Sequence, residues 1–101
     1  MNRNMMRQAQ QLQQRFAKLQ EELEQETVEA TAGGGMVKAV VTGKQTVTSI
    51  TISPEAVDPD DVEVLEEMVM AAVNEGLQKS QDLAQQKMAA ITGGMNIPGL
   101  G

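Results

Sequence analysis

A chain of 101 residues with a net charge of −6, one aromatic residue (Phe16) and no cysteine, histidine, tryptophan or tyrosine has room for a single hydrophobic core. Disulfides, thiolate chemistry, Cys-based zinc sites and imidazole acid–base catalysis are excluded, and so is stacking of bases on a set of aromatic side chains. A hydrophobic content of 41%, no apolar run near the roughly 18 residues of a spanning helix, and a Gln-rich start unlike a signal peptide predict a soluble, cytoplasmic protein.

Residues 2–25 read as a helix without glycine or proline. Met5, Ala9, Leu12, Phe16, Leu19 and Leu23 recur at alternating spacings of four and three, an a/d heptad stripe that predicts packing against another helix, in this chain or in a second subunit. Ala9 and Met5 make the stripe too weak for a free coiled coil. Arg3, Arg7, Gln11, Gln14 and Lys18 fall on the opposite side.

Residues 25–32 favour a strand through Thr27, Val28 and Thr31, and Gly33-Gly34-Gly35 ends it. Two valine- and threonine-rich runs follow, residues 36–42 and 46–52, with Gly43-Lys44 where a tight turn belongs and glycine at 43 able to take a positive φ. Three strands on short links predict an antiparallel meander, with one face in need of cover and edges open to a second copy. The glycines form no phosphate loop, because Lys38 stands five before Gly43 and Gln45 follows Lys44. They read as turns.

Asp58 is expected to cap a second helix over 59–92, with Pro59 at its first position and Asp60 and Asp61 favoured by the helix dipole rather than by a metal. Ala72, Gly76, Ser80 and Ala84 form a ladder of small residues that predicts close approach of another helix. Gly93-Gly94 ends the pattern, leaving 1–94 as one domain and 95–101 as a flexible tail. Helices of about 50 Å and 36 Å overshoot a compact domain of this size, whose radius of gyration is about 13 Å. They must project, kink or be covered by a partner, which favours a homodimer with helical arms.

The charge is segregated along the chain. Residues 1–20 carry +4 from Arg3, Arg7, Arg15 and Lys18 without an acid, residues 21–29 carry −5, residues 30–53 carry +2, residues 54–82 carry −8, and Lys87 adds +1. The average argues against a nucleic-acid partner, but the local field governs association, and the first helix is basic. The plainer possibility is a solvated helix face. No nucleophile–base pair and no metal cluster stands out, so no catalytic residue, metal or cofactor is expected, nor a small-molecule substrate or a membrane partner.

The order of the basic Gln-rich helix, Gly33-Gly34-Gly35-Met36-Val37-Lys38, the hairpin with Gly43-Lys44, Ile50-Thr51-Ile52-Ser53-Pro54, and Gln86-Lys87-Met88-Ala89-Ala90-Ile91-Thr92-Gly93-Gly94 resembles the YbaB/EbfC family of bacterial nucleoid-associated proteins, from about Met5 to Gly94. The resemblance implies an α+β fold of α-β-β-β-α order and a tweezer-like homodimer. It further implies double-stranded DNA binding through the arms, a place in the nucleoid with a role in chromosome organisation or gene regulation, and no enzymatic activity. The family's contacts map onto the polar side of residues 3–18 and the end of the second helix, around Lys79 and Lys87. The DNA-binding set expected is therefore Arg3, Arg7, Gln11, Gln14, Arg15, Lys18, Lys79 and Lys87. The arginines and lysines would meet phosphates, and Gln8, Gln11 and Gln14 the backbone or base edges, with low or modest sequence specificity. The alternative is a coiled-coil-like protein-interaction adaptor for replication or recombination machinery, without direct DNA binding.

Overall fold

The structure is a computed structural model that describes residues 2–93; the expected 95–101 tail and Gly94 lie outside them. The elements are α1 (Arg3–Gln25), β1 (Thr27–Ala32), β2 (Val37–Thr42), β3 (Val47–Ile52), a 3₁₀ turn (Pro54–Ala56) and α2 (Val62–Thr92). This is the expected α-β-β-β-α order. The strands form one antiparallel sheet in the order β1-β2-β3, with Ala30 opposite Ala39 and Ala39 opposite Ile50. The register slips once beside Val40 and Val41.

Asn2 starts α1, its side chain accepting the Met5 N–H at 2.9 Å, and so satisfies one of the free amides of the first turn. The strand expected from about Gln25 begins at Thr27, because the Glu26 N–H still donates to the Glu22 carbonyl (2.9 Å) and closes the last turn of α1. Gly33, Gly34 and Gly35 all have positive φ, between 65° and 92°. Three consecutive left-handed residues are a conformation that side chains resist.

The β2–β3 turn is built differently from the expectation. Its positive φ lies at Gln45 (62°), not at Gly43. Glycine at 43 serves closeness instead: a Cβ there would stand 2.7 Å from Leu23 Cδ2 and 2.9 Å from the Leu23 carbonyl. Gln45 is held in place because its N–H donates to the Thr42 carbonyl and to Ser80 Oγ, at 3.0 and 3.1 Å. Gln45→Gly should therefore stabilise the fold by about 1 kcal/mol, the cost of a left-handed side-chain residue, as a raised midpoint in thermal denaturation.

The second helix starts later than expected. Asp58 is no cap: its side chain accepts the Asp60 N–H (2.9 Å) and its carbonyl accepts the Asp61 N–H (3.0 Å), closing a turn outside the helix. Aspartate competes for the backbone in this way wherever a turn is an alternative to a helix start. From Val62 the helix runs 31 residues without a break at Gly76 and lies across β1 and β2. Val37, Ala39 and Ala72 are fully buried between them.

The small-residue ladder meets the sheet, not a helix. A Cβ on Gly76 would stand 2.7 Å from Val41 Cγ2, and the buried Ser80 donates to the Thr42 carbonyl at 2.6 Å. A side chain of any size at 76 or 80 would hold α2 off β2, which is the reason for small residues there. Only Ala84, the last rung, lies beside α1, in a depression shared with Gln20, Leu23 and Met88.

The heptad stripe of α1 is divided. Leu19 and Leu23 are buried against the body, Leu12 and Phe16 are half-buried, and Met5 is 57% exposed. The molecule measures 69 × 26 × 16 Å, with a radius of gyration of 19.4 Å against about 13 Å for a compact chain of this length. A 31-residue helix accounts for only about 46 Å of the long axis. The remainder is the free half of α1, projecting beyond the C-terminal end of α2, where the two helices meet.

Candidate nucleic-acid interface

Arg3, Arg7, Gln11, Gln14, Arg15 and Lys18 are all exposed on α1, which the absence of glycine and proline keeps as one uninterrupted rod through its unsupported half. Gln11, Gln14, Arg15 and Lys18 line one shallow depression, and Gln8, Gln11 and Arg15 share another with Met5, Ala9 and Leu12. Arginine and lysine thus stand beside neutral amides that can donate and accept. That combination suits phosphate oxygens and groove edges.

The lysines outside α1 are differently placed. Lys38 lies 3.9 Å from Glu29, Lys44 3.8 Å from Glu24, and Lys79 3.7 Å from Glu75, with the Lys79 ammonium also donating to the Glu29 carbonyl (2.9 Å). Lys87 lies 2.7 Å from Glu26 and 3.7 Å from Glu22. Its pKa is raised, foremost by the hydrogen bond to Glu26 and then by the attraction of both carboxylates, against partial desolvation. Lysine with a raised pKa stabilises the fold throughout neutral pH, and this contribution is lost only as pH climbs through the raised value.

Among the described residues, then, each lysine beyond α1 has a glutamate within 4 Å, whereas Arg3, Arg7, Arg15 and Lys18 are in no ion pair. The expected set falls into two groups. Six residues are exposed along α1 from Arg3 to Lys18, and Lys79 and Lys87 sit apart on α2, tied to glutamates. The Glu75–Lys79 pair is legible as an i, i+4 spacing. Lys87 meets Glu26 across 61 residues of sequence, and nothing local announces it.

Residues 1–95 match the YbaB/EbfC DNA-binding family. Nucleoid-associated proteins of Thermoanaerobacter pseudethanolicus and Caldanaerobacter subterraneus are 59% and 58% identical over 97 residues, which is 96% of this chain and 87% of each relative. A nucleoid-associated protein of Pelotomaculum thermopropionicum is 55% identical over 96 residues, or 95% of this chain and 91% of the relative. A crystal structure of an uncharacterized Helicobacter pylori protein shares the fold at a TM-score of 0.77 and 18% identity, over 90% of this chain and 97% of that one. With a family match across nearly its whole length and relatives at this identity, the chain belongs to the YbaB/EbfC DNA-binding family.

Proposed function

We propose that the protein binds double-stranded DNA as a homodimer, each subunit laying the free half of α1 along the phosphates, with low or modest sequence specificity. It would organise the nucleoid or regulate genes there, as a non-enzymatic protein. The observation that carries this reading is the split among the cations: among the described residues, those facing solvent without an acidic partner are the ones on the arm. Arg3, Arg7, Arg15 and Lys18 would meet phosphates, and Gln8, Gln11 and Gln14 would bond to the backbone or to base edges.

The second copy is supported by an uncovered apolar face. Val47, Ile50 and Ile52 pair with Val41, Ala39 and Val37 and so share their side of the sheet, yet α2 does not reach over β3. Ile50 and Ile52 are left 38% and 37% exposed. Ile52 lines a groove with Leu65, Val69, Met70 and Val73. An apolar edge strand beside an apolar helix flank is an expensive surface to leave in water and a self-complementary one for a two-fold dimer.

Titration of duplex DNA by fluorescence anisotropy over a salt series tests the whole reading. A dimer with up to about eight phosphate contacts should lose about 10³- to 10⁵-fold in affinity between about 50 and 200 mM salt. An intact dimer that binds no DNA at about 50 mM salt would overturn the proposal and leave the adaptor role.

A further inference from the structure

We infer that Lys87 is a positioning residue for DNA binding: it sets the angle of the α1 arm by gripping Glu22 and Glu26, and it does not itself touch the nucleic acid. This rests on the arm being the DNA-binding element.

The arm is a cantilever. What holds α1 lies in its last two turns: the buried Leu19 and Leu23, the close approach of Gly43 to Leu23, and the Gly43 N–H donating to the Glu26 carbonyl at 2.9 Å. Two lysines clasp it as well, Lys44 with Glu24 at 3.8 Å and Lys87 with Glu22 and Glu26 at 3.7 and 2.7 Å. The two clasps differ in kind. Lys44–Glu24 is long, with both side chains well exposed, whereas the Lys87 side chain is 28% exposed and makes a short hydrogen bond. Surface pairs of the first sort contribute little, and a short, charge-assisted and partly sheltered bond holds geometry better.

The geometry of the grip matters as much as its strength. Glu22, in the last turn of α1, and Glu26, the residue that caps it, stand one helical turn apart, and like charges at that spacing repel. One ammonium between them offsets the repulsion, and its short bond to Glu26 fastens the end of α1 to a single point on α2. Apolar contacts at Leu19 and Leu23 are non-directional and permit sliding and rocking. A cation bonded to Glu26 and drawn toward Glu22 resists rocking that would carry either carboxylate away from it.

Small errors at this point are magnified at the tip. From Glu22 to Arg3 is about 29 Å of helix, so a tilt of about 10° carries the tip roughly 5 Å. A charge-assisted bond to phosphate tolerates only a few tenths of an ångström around about 2.8 Å. Without the grip the arm samples tilts that miss the duplex, and apparent affinity falls by the fraction of time it is out of place. The number of phosphates met in the finished complex does not change.

That difference gives the test. The chain has no cysteine, so spin labels at Gln10→Cys and Gln78→Cys, diluted with unlabelled chain, read the arm-to-α2 distance in the whole protein by electron–electron double resonance. Lys87→Met should broaden the distance distribution. It should weaken duplex binding about tenfold, as when the competent fraction drops to a tenth, and leave the slope of log K against log salt unchanged. The exchange Lys87→Glu with Glu26→Lys, which preserves net charge, should restore both the distribution and the affinity. Glu22→Gln/Glu26→Gln reports on the same grip if Lys87→Met loses its helical circular dichroism.

An unaltered distance distribution in folded Lys87→Met would overturn the inference. So would a salt slope lowered by about two per dimer, which would mark Lys87 as a phosphate contact. Failure of the wild-type chain to bind DNA would reject the DNA-binding reading, while the distances alone would still judge the grip.

Discussion

Reversing the arm, with Arg7→Glu, Arg15→Glu and Lys18→Glu together, is expected to lower affinity for duplex DNA by three orders of magnitude or more at about 0.1 M salt. Each phosphate contact contributes close to tenfold at that salt through counterion release, and a dimer loses six of them at once. The substituted carboxylates then repel the phosphates that the cations attracted, so the loss exceeds simple neutralisation. Folding should be spared, because these side chains are exposed and make no ion pair among the described residues. The check is a gel shift beside a circular-dichroism melt: unchanged affinity with an unchanged melt would remove the arm from the interface. The same reversal at Lys38, Lys44 and Lys79 should do far less to binding, since their charge is already answered by Glu29, Glu24 and Glu75.

Ile50→Asp with Ile52→Asp should convert the proposed dimer to a monomer and weaken DNA binding about 10²- to 10⁴-fold, the advantage of engaging a second arm from an already bound first one. Both side chains are more than a third exposed in the single chain, so the substitution leaves the monomer foldable. Across a dimer interface, by contrast, it would bury two unpaired carboxylates per subunit, and charge without a partner is not tolerated there. Light scattering during size exclusion reads the mass, and anisotropy reads the affinity. A variant that stays dimeric would place the second copy elsewhere on the surface.

Much of the fold was legible because it rests on local patterns. The unbroken 2–25 heptad, the valine-rich runs and the triple glycine each dictate an element through residues adjacent in sequence, and α1, β2 and the Gly33–Gly35 turn stand where those patterns put them. What escaped depended on contacts from afar or on competition between near-equal alternatives. Asp58 could cap a helix or close a turn with the same oxygen, and the turn prevails. Glycine at 43 permits a positive φ, but the demand on it comes from Leu23, twenty residues upstream. The ladder at Ala72, Gly76 and Ser80 announced a close approach correctly but could not name the sheet as what approaches. For the candidate site, the basic stripe on α1 was visible from spacing alone. The engagement of Lys87 was not, because charge counting does not say which acids lie within reach.

The separation of charge along the 69 Å axis also bears on how fast the protein finds DNA. The arm's four cations lie toward one end. The acids from Glu55 to Glu67 occupy the 3₁₀ turn, the Asp58 turn and the start of α2, at the other, several screening lengths of about 8–10 Å away. Neither end therefore cancels the other at physiological ionic strength, and each chain is a large electric dipole. Near a polyanion such a dipole experiences a torque before any atom touches: the arm swings forward and the acidic end is turned away. Collisions become productive more often than a random orientation allows, so the association rate should exceed that of an evenly charged protein and fall as salt weakens the torque.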